Sequence, residues 1–233
     1  MKKLLAALVA ATALLVAAPA VAGAQTGTSQ VYVTHGLPLD DAGTKVDVYV
    51  NGGLAIDDFT FGRTVGPLTL PAASYDVEIR TPDGATTLIG KTVAVPAGGN
   101  FSLVASFVDS SGTPGINVFR NDVRRVPSGF GRLGLHHAAA APAVDVYTGL
   151  FPVTRWFPHL RSKAVAGAPN GAEADLVLPS ALRYTVDVNV AGTATRVLKL
   201  DNVKVPARTL TNVYVVGSAS GGTLQVISSA IAL

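Results

Sequence analysis

The sequence predicts an all-β protein made of two tandem immunoglobulin-like antiparallel β-sandwich domains behind an N-terminal signal peptide. Three observations predict this class. Short runs of alternating apolar and polar residues recur from Gln30 to the C-terminus, separated by Gly, Pro, Asn and Asp. No window after residue 30 has a helical period, and a set of landmarks occurs twice in the same order. Many short strands with regular turn signals are typical of a sandwich or a barrel.

The first 24 residues have the three parts of a signal peptide. Met1-Lys2-Lys3 is followed by an apolar stretch from Leu4 to Ala18, and then by small residues with two Ala-x-Ala sites that end at Ala22 and Ala24. The apolar run is about 15 residues, whereas spanning a bilayer takes roughly 20. A cleaved signal peptide is therefore favoured over an uncleaved anchor. We expect a secreted or extracytoplasmic protein, in the cell envelope or periplasm, with no transmembrane segment in the mature chain.

Charge and cysteine content exclude several classes of function. The chain has 18 Lys and Arg against 15 Asp and Glu, and losing Lys2 and Lys3 with the signal peptide leaves a net charge of +1. The basic pI is therefore no evidence for a nucleic-acid partner or an anionic membrane. The absence of cysteine excludes disulfides, thiolate metal sites and a cysteine nucleophile. Stability must come from apolar cores, which a hydrophobic content of 48% permits.

The first half of the mature chain contains five clear strand patterns. In the second of them, Val46 and Val48 would face a core while Asp47 and Tyr49 face the other way, because side chains alternate along a strand. The five segments are Gln30–Thr34, Lys45–Val50, Tyr75–Arg80, Thr86–Val95 and Phe101–Val108.

Four landmarks recur about 100 residues apart, which predicts a duplicated domain of immunoglobulin size. The pairs are His35 and His137, the Val-Asp-Val-Tyr motifs 46–49 and 144–147, the Leu-Pro-to-Tyr segments 68–75 and 176–184, and the Val-x-Val-Pro motifs 93–96 and 203–206. We place the signal peptide at 1–24, the first domain at 25–122, a linker at 123–130 and the second domain at 131–233. The charged, Pro- and Gly-containing stretch around 120–129 marks this boundary, and its shortness predicts that the two domains touch.

A strand ending in histidine, a Pro-containing loop, Val-Asp-Val-Tyr and then Leu-Pro-Ala-x-x-Tyr together resemble the bacterial family called domain of unknown function 4397. The resemblance covers nearly all of the chain after the signal peptide, as two copies. The second copy keeps the family's His-Ala opening at His137-Ala138, whereas the first has Gly36 after His35 and extra residues before Lys45. The resemblance implies an extracellular β-sandwich, often in tandem, and no established activity.

The repeated polar residues are expected to serve the fold. His35 with Asp47, and His137 with Asp145, could form carboxylate-held histidines of the kind found in acid–base sites or beside metals. Alternatively, each Asp accepts a hydrogen bond that ties the first two strands. We favour the structural role, because duplicated domains keep fold determinants and rarely keep two identical active sites. Tyr75 and Tyr184 each follow a Pro turn, where the phenol can reach back to the backbone as in a tyrosine corner.

The sequence shows no catalytic machinery, so we expect a protein that is not an enzyme and needs no cofactor or metal. It has no Gly-x-Ser-x-Gly elbow, no cysteine and no serine in an activating context. The acidic pairs Asp40-Asp41 and Asp57-Asp58 lie in predicted loops and could bind calcium, but neither forms the specific Asp-x-Asp-x-Asp-Gly loop. We interpret them as solvated carboxylates.

The most distinctive segment, residues 151–163, occurs only in the second copy and holds the single Trp. Arg155, Trp156, His159 and Arg161 are the candidate ligand-binding residues, because aromatic and Arg side chains on a loop are typical of recognition surfaces. The alternative is that Trp156 and Phe157 fill the second core, as Phe59 and Phe61 would fill the first.

The predicted function is that of an exported, non-catalytic binding or scaffolding module for an unknown extracellular or envelope ligand, a glycan or a protein. The alternative is a secreted hydrolase or small-ligand carrier with a pocket between the domains, which predicts a deep pocket with converging polar groups. A third hypothesis is self-assembly through exposed strand edges.

Overall fold

The computed structural model describes residues 27–38 and 45–233, so the predicted signal peptide and Asp40-Asp41 lie outside the described residues. These described residues form sixteen strands, of which eight precede residue 121. These eight are β1 (Thr28–His35), β2 (Lys45–Val50), β3 (Gly53–Thr60), β4 (Thr64–Pro71), β5 (Ala73–Arg80), β6 (Thr87–Val95), β7 (Asn100–Phe107) and β8 (Pro114–Arg120). The other eight are β9 (Phe130–Ala140), β10 (Val144–Leu150), β11 (Ser162–Ala168), β12 (Glu173–Pro179), β13 (Arg183–Val190), β14 (Arg196–Lys204), β15 (Thr209–Ser218) and β16 (Gln225–Ala232).

The strands form four sheets, two in each half of the chain. The first half has the orders β4-β1-β7-β8 and β3-β2-β5-β6, and the second has β12-β9-β15-β16 and β11-β10-β13-β14. Each strand of the second half therefore has the same position in its sheet as the first-half strand whose number is lower by eight, so that β9 corresponds to β1 and β16 to β8. The ladders are antiparallel except β1 with β7 and β9 with β15, which are parallel. The predicted fold, all-β with two sandwiches, is confirmed.

Each half buries an apolar core between its two sheets. On β5, the alternation of the sequence puts Val77 and Ile79 inside, while Asp76 and Glu78 lie nearer to solvent. Val46 and Val48 belong to the first core, as the strand pattern predicts. Phe59 is in the first core as expected, whereas Phe61 packs against a separate cluster between the sandwiches. Val144, Val146 and Val186 belong to the second core. The period-2 pattern of these strands is thus explained by one buried face and one solvated face.

A third apolar cluster lies between the two sandwiches. The outer face of the β7–β8 sheet packs on the outer face of the β9–β15–β16 sheet, so the four sheets stack in layers. Its buried members are Val104, Phe119, Ala138, Tyr214, Val216 and Ile227. Because β7 and β9 are covered on both faces, they are buried over continuous runs, Ser102 to Ser106 and Gly131 to Ala140, rather than at alternate positions.

The segment between the sandwiches is fixed to both of them. The side-chain amide of Asn121 donates to Ser102 Oγ (2.9 Å), and Asn121 Oδ1 accepts from Asn212 Nδ2 (2.9 Å). The buried guanidinium of Arg132 donates to the carbonyl oxygens of Asp122 and Arg124. These bonds, together with the apolar cluster, hold the two halves in contact.

Helical structure among the described residues is confined to the connection between β10 and β11. Helix α1 (Val153–Trp156) and a 3₁₀ turn (Pro158–Leu160) lie there. Nowhere in residues 27–38 and 45–233 is there a helix long and apolar enough to cross a membrane.

Candidate functional site

The connection between β10 and β11 presents an exposed apolar surface at one end of the second sandwich. We call residues 150–161 the aromatic loop. Five of its large apolar side chains are exposed: Leu150 (43%), Val153 (40%), Trp156 (72%), Phe157 (53%) and Leu160 (54%). The alternative that Trp156 and Phe157 fill the second core is therefore wrong.

Ala168, and not an aromatic residue, holds the position in the second sandwich that Phe59 holds in the first. Ala168 pairs with Val144 on β10, just as Phe59 pairs with Val46 on β2. The position that Phe59 fills in the first domain is thus held by a small side chain in the second. Trp156 instead lies on α1, within the long connection before β11.

The aromatic loop is anchored beneath its exposed face. The hydroxyl of the buried Thr154 lies 3.1 Å from the Leu150 carbonyl oxygen and 3.0 Å from Thr185 Oγ1, and its single hydrogen is shared between the two acceptors. Gly149 allows this packing, since a Cβ there would lie 2.4 Å from Thr154 Cγ2. Arg161 donates to the Pro158 carbonyl (2.8 Å).

A buried carboxylate fixes the end of the loop. Asp187 is fully buried, and its two oxygens accept from Arg161 Nη1 (2.6 Å) and Arg196 Nη1 (3.2 Å). Of the four candidate ligand-binding residues, Arg161 is thus engaged within the protein. Arg155 lies with its Cζ 5.8 Å from the Trp156 ring centroid, and His159 lies edge-on to Phe157. Arg155 thus lies beside Trp156, and His159 beside Phe157, with all four side chains exposed.

The repeated Asp residues bind backbone rather than histidine. Asp47 Oδ1 accepts from the Asp58 amide (3.1 Å). Asp145 accepts from the amides of Gly167 (2.8 Å) and Gly192 (3.1 Å) and from Lys163 Nζ (2.7 Å). These three donors, Lys163 first, lower the pKa of Asp145 to about 2. Each Asp ties its own strand to the neighbouring edge strand.

The two repeated histidines are buried among apolar groups. The His35 ring lies 5.7 Å from Phe59 and 5.9 Å from Phe61, and burial lowers its pKa to about 4. His137 Nε2 lies 3.2 Å from the Pro142 carbonyl, and burial lowers its pKa as well. Both rings are held neutral, which suits a packing role better than proton transfer near neutral pH.

The two tyrosines make the same turn-closing bond. Tyr75 donates to the Pro71 carbonyl and Tyr184 to the Pro179 carbonyl, each at 2.8 Å. Each hydroxyl thus fastens the start of a strand to the turn before it, as in a tyrosine corner.

A group of three carboxylates forms on β2 and β3. Oxygens of Asp47, Asp57 and Asp58 lie within 4.8 Å of one another, and Lys45 Nζ lies 2.8 Å from Asp58 Oδ2. Asp57 and Asp58 belong to β3 and not to a loop as predicted, because β3 continues through a bulge to Thr60. They are exposed and partly neutralised by Lys45, as solvated carboxylates are.

A polar cleft of about 570 Å³ lies where the two halves meet. Its carboxylates come from Asp122, Glu173 and Asp175. The Arg124 guanidinium holds the pKa of Asp122 at about 2, whereas burial raises the pKa of Glu173 and of Asp175. Glu173 Oε2 also accepts the amide of Arg120 (3.1 Å), which ties β12 to β8.

The family model of the domain of unknown function DUF4397 matches residues 29–147. The chain belongs to the DUF4397 family. The DUF4397 match spans the whole first sandwich and continues through β9 into β10. It includes His35, Asp47 and Tyr75, and from the second half His137 and Asp145.

Two solved structures are similar to this protein over most of the chain, with low sequence identity and low TM-scores. One is a family 26 carbohydrate-binding module from Eubacterium rectale in complex with maltoheptaose, with 13% identity, 88% of this chain and 97% of that chain covered and a TM-score of 0.27. The other is a candidate cell adhesion protein from Bacteroides uniformis, with 13% identity, coverage of 88% and 99% and a TM-score of 0.30. TM-scores of this size support no functional inference. A search of curated proteins finds no match.

Proposed function

We propose that this DUF4397 protein is an exported, non-catalytic binding module that captures an envelope or extracellular protein through its aromatic loop. The observation that carries the proposal is the 72% exposure of Trp156 at the centre of an apolar surface. A monomer that leaves a Trp ring in water loses the free energy that burial of the ring would provide. Exposed apolar patches of this kind therefore commonly mark interaction sites. Trp and Arg are the residue types most enriched at the energetic centre of protein interfaces.

The anchoring of the loop supports a role in binding. Thr154 and Arg161 hold the backbone from below, so little freedom remains to be lost when a partner binds. Arg161 then acts as a positioning residue, while Arg155, Trp156 and His159 supply the contact surface. Aliphatic neighbours such as Val153 and Leu160 favour a protein partner over a glycan, because a sugar offers mostly hydroxyl groups to them.

The proposal includes two domains, at 25–122 and 131–233, as tandem DUF4397 copies. The shift of eight strands between two identical sheet orders supports the second copy. So does the equivalent pairing of Tyr75 with Val93 and of Tyr184 with Val203. Export is supported by the signal-peptide pattern of residues 1–24.

A binding experiment on envelope fractions tests the proposal. The mature protein from Gln25 onward is incubated with envelope fractions of the producing bacterium, and retention is compared between wild type and Trp156→Ala. We expect Trp156→Ala to weaken retention about thirtyfold, the effect of losing an interface centre worth about 2 kcal/mol. Val118→Ala, which removes an exposed aliphatic side chain from β8 in the first domain, is the matched control and should bind as wild type.

Treatment of the fractions separates the two ligand classes. Protease digestion should abolish retention and glycosidase digestion should leave it intact. Equal retention of wild type and Trp156→Ala would rule out the loop as the site. Retention that resists protease and is lost after glycosidase would assign a glycan instead.

The polar cleft favours a second candidate, a hydrolase or a carrier with a site between the domains. Glu173 and Asp175, whose pKa values are both raised by burial, lie together in it. Two catalytic carboxyl groups work best with pKa values driven apart, one acting as acid and one as base. The pKa values of Glu173 and Asp175 shift in the same direction, whereas that of Asp122 in the same cleft is lowered to about 2, so the cleft holds carboxyl groups of both kinds. The double variant Glu173→Gln/Asp175→Asn should leave envelope retention unchanged if the aromatic loop is the site, and should abolish it if the cleft is.

A further inference from the structure

An apolar cavity lies inside the first sandwich, between its two sheets, and not between the domains. Its volume is about 430 Å³. Folded proteins rarely leave voids larger than a water molecule, and ligand pockets begin at about 300 Å³. A void of this size is therefore an unusual feature of a core and falls within the range of ligand-binding sites.

The second sandwich fills the corresponding space. Its cavity between the sheets is only about 30 Å³. Strand pairing makes Val31, Val33 and Ala105 of the first domain equivalent to Leu133, Leu135 and Val215 of the second, since each pair has matching partners on the neighbouring strands. These three positions carry smaller side chains where the cavity is large, whereas Phe59, Leu103 and Ile116 are larger than their equivalents Ala168, Val213 and Val226. Val31, Val33 and Ala105 are therefore the positions at which the residues of the second domain would add volume to the first.

The lining of the cavity specifies an uncharged ligand. Among the described residues that line it, polar side-chain groups come from Thr69 and Tyr75, and none of these residues is charged. The Tyr75 hydroxyl is already bonded to the Pro71 carbonyl, and Thr69 bonds with Gln30. A charged or strongly polar group inside would lose its hydration without gaining a partner, which costs several kcal/mol.

The shape of the cavity suits an extended chain. Val46, Val48 and Val50 line it along β2, a distance of about 13 Å at roughly 3.3 Å per residue. Three lining residues are also exposed to solvent: Ala55 on β3, and Pro67 and Thr69 on β4. β3 and β4 are the edge strands of the two facing sheets on the same side, so the mouth lies between them.

We propose that the first sandwich binds a single hydrocarbon chain, such as a fatty acyl or isoprenoid tail, which enters between β3 and β4 with its polar end at the mouth. Burial of such a chain would be driven by the hydrophobic effect, which grows with each buried methylene. The inference is independent of the aromatic loop, which lies in the other domain, so either can fail without the other.

Titration with the neutral apolar fluorophore N-phenyl-1-naphthylamine tests the proposal on the mature two-domain protein. Wild type should bind it saturably, and 1-dodecanol should displace it. The variant Val31→Leu/Val33→Leu/Ala105→Val, which installs the second domain's residues, should weaken binding at least tenfold. Val118→Leu adds the same kind of bulk on an exposed position of β8 and should bind as wild type.

A second variant covers the case in which the filled core does not fold. Ala55→Trp places a large side chain at the exposed mouth, where the fold should tolerate it, and should also weaken binding at least tenfold. Tight binding by Ala55→Trp and by the folded triple variant, or no saturable binding by wild type, would overturn the proposal.

Discussion

Asp47 and Asp145 occupy equivalent positions, but they are held by different numbers of donors. Asp145 has a cation and two backbone amides, whereas Asp47 accepts from the Asp58 amide. Hydrogen bonds to a carboxylate are stronger than neutral ones, and a cation adds to them. The Asp of the Val-Asp-Val-Tyr motif thus contributes differently to the stability of the two domains.

Replacing Asp145 with Asn should destabilise the protein more than replacing Asp47 with Asn. At pH 7 we expect Asp145→Asn to lower the thermal midpoint by several degrees and Asp47→Asn to lower it less. The pKa of Asp145 is about 2 in the folded state, below its ordinary value of 3.8, so its stabilisation is present above pH 3.8 and is lost as the pH falls toward 2. Thermal scans at pH 7 and pH 2 should show the effect of Asp145→Asn shrinking at the lower pH; equal effects of both variants at pH 7 would contradict this.

Buried histidines make the stability of the folded protein depend on pH in the mildly acidic range. His136 packs against the Phe119 and Tyr214 rings, with Asn212 Oδ1 at 3.1 Å from Nε2 and Glu173 Oε2 at 3.9 Å from Nδ1. Burial lowers its pKa to about 4, as it does for His35. A folded-state pKa below the ordinary 6.5 means that protonation favours the unfolded chain. The stability that these residues contribute is complete above pH 6.5 and is lost as the pH falls toward 4.

Unfolding free energy should therefore fall between pH 6.5 and pH 4.5, by up to about 1.4 kcal/mol per pH unit for each histidine. Urea titrations at a series of pH values measure this slope. Glu173, whose pKa is raised by burial, acts in the opposite direction near its own pKa and reduces the net slope there. His136→Gln should make the slope shallower, and a flat profile in wild type would refute the expectation.

At the scale of elements, the connection between β10 and β11 distinguishes the two domains. β2 and β3 are joined by a tight turn, whereas the corresponding second-domain strands are joined by the aromatic loop. The loop adds exposed side chains such as Trp156 and Phe157, which can change without cost to the sandwich. Thr154 and Arg161 cannot, because they contact Thr185 and the buried Asp187.

Two substitutions of aromatic residues should separate surface from core. Trp156→Ala should change the unfolding free energy by no more than about 0.5 kcal/mol, as is usual for exposed positions. Phe59→Ala removes a ring that is 1% exposed and should cost about 3–5 kcal/mol. Chemical denaturation of both variants measures the difference, and a loss above 2 kcal/mol for Trp156→Ala would mean that its ring packs inside.

At the scale of the whole molecule, the stacked outer sheets should make the two sandwiches unfold together. The apolar contact between the sandwiches includes Phe119, Ala138 and Tyr214. Unfolding of either domain would expose the other domain's side of this contact to water and lose the free energy of its burial. The Asn121–Asn212 bond adds a polar contact at the same interface. The interface is thus a part of the folded core and not a loose hinge.

Calorimetry should show one transition for wild type and two for Ala138→Glu. Ala138 is fully buried between the sandwiches, and a carboxylate there would have to separate the sheets to reach water. Ala230→Glu, at an exposed position on β16, serves as the control and should keep a single transition. Two transitions in wild type, or one in Ala138→Glu at an unchanged midpoint, would contradict the coupling.

The sequence by itself determined the sandwich class, the two-fold repeat of motifs and the membership of the family. These depend on local rules: a side-chain period of two, Gly and Pro at turns, and motifs such as Val46–Tyr49 that recur with their neighbours. Only the tertiary structure decided that Trp156 is exposed, that Asp47 and Asp145 bind backbone, and that a cavity opens beside Val31 and Ala105. Each of these depends on which side chains from strands distant in sequence meet across the sheets, and the hydrophobic pattern of a single strand carries no information about the volume that its partners leave.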